Sequence, residues 1–314
     1  MDLKSINELL SNKSIIGEGA TSFAYRVDNC YLHKRFLCLK ILKNAVIMKD
    51  SSIQKSKSHK KEEEEAFWDE EDSNERKEEK ELNFDMIKEL CLEFETLNKL
   101  NHPNIVKAYA FYFGDEKTNP AILLEYCKYD LTKVINRLHD YQLVGVIYEI
   151  CSAMKHVHAC KIIHRDLKMA NILINLKKHV KICDFGIARE MDLETYTTLT
   201  KGVGTLAFMA PELFSEDSKY DEKVDLYSFG VVMYYIVTKG QMPKFNPKVG
   251  YESIKMPSII NKLSQSIIKR CWSKDPSKRP SFEEIIELIV RNNFMLIDGI
   301  EDDIPQLKQH LGLK

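Results

Sequence analysis

His164-Arg165-Asp166-Leu167-Lys168-Met169-Ala170-Asn171, followed thirteen residues after Asn171 by Asp184-Phe185-Gly186, decides how this chain is read. Within six positions the octet supplies a carboxylate (Asp166), a cation (Lys168) and a side-chain amide (Asn171). Asp184 adds a second carboxylate. Moving a phosphoryl group onto a hydroxyl needs a carboxylate beside the attacking oxygen, a cation on the moving phosphate and oxygen ligands for magnesium. Alone, the octet also fits a surface loop, and Asp-Phe-Gly is a weak tripeptide. Their order and spacing make the pair specific.

Upstream, the pattern is that of short strands. Ile15-Ile16 leads into Gly17-Glu18-Gly19, Phe23 to Val27 alternates with period two, and Phe36 to Leu42 is a second β-like run. Composition then changes. Residues 49–81 hold 13 acidic and 8 basic residues and little apolar content. Such a segment buries too little surface to offset its ordering entropy, so 44–81 is expected to be an insertion that is disordered or a solvated helix. Phe67-Trp68, between two acidic blocks, makes it a candidate docking segment for a partner. Met86, Leu90, Phe94, Leu97 and Leu100 then recur at helical spacing, and Asn101-His102-Pro103-Asn104 stops that helix. Strands are expected at 105–113 and 121–126, and helices at 131–139, 141–160, 222–239, 258–272 and 281–291. A β-rich front and an α-rich back imply two lobes with a cleft between them.

With these motifs in this order, the chain resembles the protein kinase family. The resemblance covers about residues 14–291 apart from the insertion. Ala210-Pro211-Glu212 closes the segment that Asp184 opens. Lys40, ending Leu37-Cys38-Leu39-Lys40, stands where the family has the lysine that holds the α- and β-phosphates of ATP. Its helical partner is read as Glu93 from the spacing to His102-Pro103, with Glu89 and Glu95 as alternatives. Glu95 lies two positions from Glu93, so both cannot face inward. Gly17-Glu18-Gly19-Ala20-Thr21-Ser22 matches the phosphate-covering loop at two of its three glycines; Ser22 replaces the third, and Ala24 the usual valine.

The resemblance implies a site as well. Ile16, Gly17, Gly19, Ser22 and Ala24 would cover the nucleotide. Cys38 would lie above the adenine and Leu173 beneath it, with backbone groups of Glu125 and Cys127 on its edge and Leu124 guarding the back pocket. Asp166, Lys168 and Asn171, with Lys40 and Glu93, would carry the chemistry. Asn171 and Asp184 would hold Mg2+. Asp225 matches the helix aspartate that braces the catalytic loop, and Arg279 the arginine that pairs with Glu212.

The implied fold is α+β, a bilobal protein kinase fold: a small β-rich N-lobe with one main helix (14–126) and a larger α-helical C-lobe (127–291). An extension (1–13) precedes it and a tail (292–314) follows. Lys168, and Thr205 in Gly204-Thr205-Leu206, favour transfer to serine or threonine of a protein substrate. Met209-Ala210-Pro211-Glu212 and Cys271-Trp272-Ser273-Lys274-Asp275-Pro276 resemble the tyrosine-kinase-like group. Ser22, Ala24 and Cys38 keep a second reading open, a nucleotide-binding scaffold without turnover. Arg165 puts a cation beside Asp166, which a phosphate on Thr197, Thr198 or Thr200 would neutralise.

Composition narrows the partners. Of 314 residues, 44% are hydrophobic, enough for a globular interior, and the formal net charge of −1 gives no push toward nucleic acid or an anionic membrane. No run of about 18 apolar residues suits a bilayer span, so no membrane insertion is expected. The eight cysteines include no Cys-x-x-Cys pair. They are expected to be free thiols in a reducing, cytoplasmic setting.

Overall fold

The computed structural model describes residues 13–19, 21–27, 36–43, 69–114, 118–186, 189–190, 206–214, 220–245, 250–251 and 254–313. The chain folds as two compact units, Met1–Glu95 with Lys107–Tyr126 and Thr96–Val106 with Cys127–Lys314.

The first unit is built on an antiparallel sheet. Its strands are β1 (Lys13–Glu18), β2 (Ser22–Val27), β3 (Leu37–Leu42), β4 (Ala108–Tyr112) and β5 (Ala121–Glu125), in the order β1-β2-β3-β5-β4. Alternation sorts the faces. Leu37 and Leu39 join Val27, Tyr112, Ala121 and Leu123 in a buried cluster, with Ile41 and Ala110 packed against it. Cys38 and Lys40 therefore point to the other face. There the register sets Lys40 beside Ala24 and Ile122, and Cys38 beside Leu124.

One long helix, α1 (Asp69–Lys99), follows β3 in sequence. Its last residues bear out the stop at Asn101-His102-Pro103. Of the segment 44–81, read from the sequence as disordered or a solvated helix, residues 69–81 are helical, and 44–68 lie outside the described residues. The physical reason lies in residue type. This stretch has no glycine or proline, is rich in the strong helix formers Glu, Lys and Arg, and places Asp69, Glu70, Glu71 and Asp72 at the positive end of the helix dipole. Leu90, Glu93, Leu97 and Leu100 form the buried stripe, whereas Glu89 and Glu95 are exposed.

In the second unit, residues 104–106 attach to strand β9, introduced below, and not to the first sheet. Asn104 Nδ2 donates to the Val180 carbonyl at 3.1 Å, and Val106 N–H to the Ile182 carbonyl at 2.9 Å. The strand expected from residue 105 thus begins at Ala108. The unit's small sheets are β6 (Tyr129–Asp130) with β8 (Ile172–Ile174) and β9 (Val180–Ile182), and β7 (Ile162–Ile163) with β10 (Arg189–Glu190). Its helices are α2 (Leu131–Val134), α3 (Asp140–Ala159), α4 (Lys223–Val237), α5 (Lys262–Cys271), α6 (Phe282–Arg291) and α7 (Ile304–Leu311). Every residue of α4 from Val224 to Val237 is buried. Asn261 caps α5 through Ser264 N–H, which fixes its start four residues later than expected from the sequence. Ser281 and Glu284 form a capping box at α6. Within the tail, residues 304–311 form α7, which packs on α3 and buries Ile304 and Leu307. Among the described residues no helix is long and apolar enough to cross a membrane.

Candidate active site

In the first unit, Lys40 Nζ lies 2.7 and 2.9 Å from the two carboxylate oxygens of Glu93. Glu93 is only 2% exposed. A carboxylate so buried is stable only when paired, and the chelated ammonium supplies the partner. Neither Glu89 nor Glu95 takes this place, because helical spacing turns both toward solvent. Ser22 is buried, and its carbonyl accepts the Gly19 N–H at 2.8 Å, so the glycine-rich segment is closed into a tight turn. A side-chain carbon added to Gly17 or Gly19 would meet nothing closer than 3.6 Å. Their φ angles are ordinary as well; what these glycines leave is room above the backbone. Ile16 lies on β1, whose residues are all exposed. Burial pushes the Cys38 thiol up to about 12, partly offset by the Lys40 cation. Glu125 donates its N–H to the Lys107 carbonyl at 2.8 Å.

In the second unit, Asp166, Lys168 and Asn171 converge. Lys168 Nζ lies 2.6 Å from Asp166 Oδ2, and Asn171 Nδ2 donates to that same oxygen and to the Asp166 carbonyl, each at 2.9 Å. Asp166 Oδ1 is buried and has no hydrogen-bond partner among the described residues. Both bonds of Asn171 use Nδ2, which leaves its Oδ1 for a cation. Asp184 sits at φ 65° and Arg165 at φ 69°, conformations that L-residues hold only when neighbours enforce them. The neighbours are plain. His164 Nε2–H donates to the Cys183 carbonyl at 3.1 Å while its Nδ1 accepts the Asp166 N–H at 3.2 Å, and its ring packs on buried Phe185 at 4.6 Å. Those two bonds fix the neutral tautomer. Leu173, on β8, is half-buried, and Cys127 is buried.

Asp225 holds the loop from below. It is wholly buried and accepts the N–H groups of His164 and Arg165 and the ring of His158. Burial alone would raise its carboxyl pKa; the hydrogen bond and charge from His158 and the backbone N–H of His164 outweigh it and hold the group below the ordinary 3.8. Sequence reasoning missed His158, which lies six residues upstream of His164 in no motif. Arg279 grips Glu212 with Nη1 to Oε1 at 2.6 Å and Nη2 to Oε2 at 2.9 Å. Two further anchors of residues 206–214 were also missed: Ser228 Oγ donates to the Phe208 carbonyl and Tyr251 Oη to that of Ala207, each at 2.7 Å. Thr197, Thr198, Thr200 and Thr205 lie outside the described residues.

The donor set fits magnesium, a hard cation that takes oxygen ligands: an amide oxygen from Asn171 and a carboxylate from Asp184. The protein kinase domain family matches residues 70–289. A probable serine/threonine-protein kinase of Dictyostelium discoideum is 33% identical over 228 residues, covering 66% of this chain and 16% of that protein. Serine/threonine-protein kinase CTR1 of Arabidopsis thaliana is 31% identical over 230 residues, covering 67% of this chain and 27% of its own length. Mitogen-activated protein kinase kinase kinase 7 of Homo sapiens is 34% identical over 223 residues, covering 64% of this chain and 35% of its own length. The chain thus matches well under half of each of these relatives. The brace from Asp225, the Arg279–Glu212 clamp and the Lys40–Glu93 pair accompany a family match over most of the chain, and the chain belongs to the protein kinase family.

Proposed function

We propose that this chain is an ATP-dependent protein kinase that phosphorylates serine or threonine hydroxyls of proteins. One observation carries the reading. Asp166 has one oxygen fully engaged by Lys168 and Asn171, and the other buried without a partner among the described residues. A buried acceptor left open costs free energy, and an incoming hydroxyl is the group that would satisfy it.

In this reading the Asp166 Oδ1 accepts the substrate hydroxyl and orients it. Lys168 sets a positive charge where the moving phosphoryl group gathers negative charge. Lys40, held by Glu93, grips the α- and β-phosphates. Asn171 and Asp184 hold magnesium. Ile16, Gly17, Gly19, Ser22 and Ala24 cover the nucleotide, while Cys38, Glu125, Cys127 and Leu173 surround its base. Bound MgATP supplies the phosphoryl group and neutralises its charge. Lys168 and the names of the relatives favour serine and threonine; a further relative, 34% identical over 221 residues, is named a serine/threonine/tyrosine-protein kinase. Phosphorylation of Thr197, Thr198 or Thr200 would switch the site through Arg165, and full activity of a chain whose intact mass carries no phosphate would rule that out.

The test is transfer from ATP and magnesium to a generic protein substrate, with Asp184→Asn as control. Transfer above the control, with phosphoserine or phosphothreonine in the product, is the expected result. Phosphotyrosine alone would overturn the specificity. Nucleotide binding without transfer, even after forced phosphorylation of residues 195–200, would overturn the activity and leave a scaffold.

A further inference from the structure

We propose that Glu149, His179 and His310 form a binding site for a divalent transition-metal ion of the zinc type, outside the phosphoryl-transfer residues. Glu149 comes from α3, His179 from the turn before β9, and His310 from α7. Each offers one ligand atom, and the three atoms lie within 4.8 Å of one another. Two imidazoles and a carboxylate are the donors that zinc prefers, and a poor set for magnesium or calcium.

The donors are held in advance. Glu149 is 5% exposed, and its Oε2 accepts the Val180 N–H at 2.7 Å. That bond aims Oε1 at His179 Nδ1, 2.5 Å away. His179 closes a rigid turn: Asn175 Oδ1 accepts the N–H groups of Lys177 at 2.9 Å and His179 at 3.0 Å, and Lys178 takes φ 68°. The Lys178 backbone also hydrogen-bonds the His310 ring. A backbone bond on one ring nitrogen, leaving the other to ligate, is the usual second contact of a metal-bound histidine.

Charge points the same way. The two imidazole rings are stacked, with centroids 4.4 Å apart and planes 11° apart. Two imidazolium ions cannot sit like this without strong repulsion. The buried Glu149 carboxylate thus lies against two stacked imidazoles, which puts a negative charge and two nitrogen donors in one place. Ligands about 2.0–2.1 Å from a tetrahedral ion stand about 3.3 Å apart. From the 4.8 Å spread the widest pair would close by about 1.5 Å, while the hydrogen-bonded pair of Glu149 Oε1 and His179 Nδ1 would open by about 0.8 Å and give up its shared proton to the ion, changes within reach of side-chain rotation.

Such an ion would be structural. It would cross-link α7 to α3 and to the β8–β9 turn, where α7 is otherwise held by Ile304 and Leu307 and by the close approach of Leu307 and His310 to Gly145. Three protein ligands leave a fourth position for water.

The experiment uses the full chain without a histidine tag, stripped with chelator and titrated with Co2+, then Zn2+. The expected result is one equivalent of Co2+ with a visible ligand-field band, displaced by Zn2+, and a rise in thermal midpoint with Zn2+. His310→Gln should weaken uptake by at least about 100-fold and abolish the midpoint rise, while leaving the metal-free circular dichroism unchanged. His179→Gln should do the same, which guards against a folding defect in one variant. Three results would overturn the proposal: no saturable uptake, a band that survives both substitutions, or an intense sulfur-to-cobalt band that assigns the metal to cysteines.

Discussion

Asp225 accepts the backbone N–H of Arg165 at 2.8 Å, and so holds in place a residue whose φ is 69°. A helix carboxylate thereby sustains a left-handed turn in the loop that carries Asp166.

Asp225→Asn should therefore act on the loop before it acts on the core. The amide turns an acceptor into a donor facing two N–H groups, and should cost about 1–3 kcal/mol. Because the native carboxyl is held below 3.8, its contribution is present above the ordinary carboxylate range and is lost as pH falls through the depressed value. Urea unfolding from pH 7 to pH 3 checks both: the variant should start lower and lose less below pH 4.

In the proposed reaction, Asp166→Asn would remove the group that takes the hydroxyl proton and should lower the phosphate-transfer rate by about 10²–10⁴-fold. Lys40→Met would remove the proposed charge-assisted phosphate contact and should cost about 10²–10³-fold. Thermal midpoint should fall little in the first. Equal rates in wild type and Asp166→Asn would contradict the assigned role.

Gly230→Ala tests packing alone. A methyl there would stand 2.7 Å from Trp272 Nε1, 2.8 Å from its Cδ1 and 2.9 Å from Cys271 Cβ. All three belong to buried residues that cannot swing away. Overpacking of this kind costs about 1–3 kcal/mol, read as a lower denaturation midpoint with an unchanged slope.

His102 supplies the pH prediction. Burial, with the nearby His156 and Lys181, holds it at about 4, below the ordinary 6.5. Its Nδ1 accepts the Asn104 N–H at 3.1 Å and its Nε2 lies 3.2 Å from Ser152 Oγ, a pattern only the neutral ring supports. The unfolded chain thus binds the proton first, and stability should decline as pH falls from about 6.5 toward 4. In His102→Asn that slope should flatten; an identical slope would assign the effect to other groups.

Residues a few positions apart were legible because chemistry and spacing coincide. Asp166, Lys168 and Asn171 share one turn of chain, and Glu93 falls on the same helical stripe as Leu90 and Leu97. The start of α1 was not legible. Its first residues carry charge with no apolar period, so helix propensity alone marks them. The convergence of Glu149, His179 and His310 left no trace either, since only the docking of α7 on α3 brings them together. His158 stayed hidden because its partner, Asp225, lies 67 positions away.

The uninterrupted course of α1 has a mechanical consequence. From Asp69 to Glu93 the helix runs about 36 Å, at about 1.5 Å per residue, with no proline or glycine to serve as a swivel. Twist imposed at the charged end is therefore carried down the shaft as rotation of Glu93 about the helix axis. One residue of slippage, about 100°, would unhook it from Lys40. Whatever grasps the acidic end holds a lever whose far tip is the Lys40–Glu93 pair.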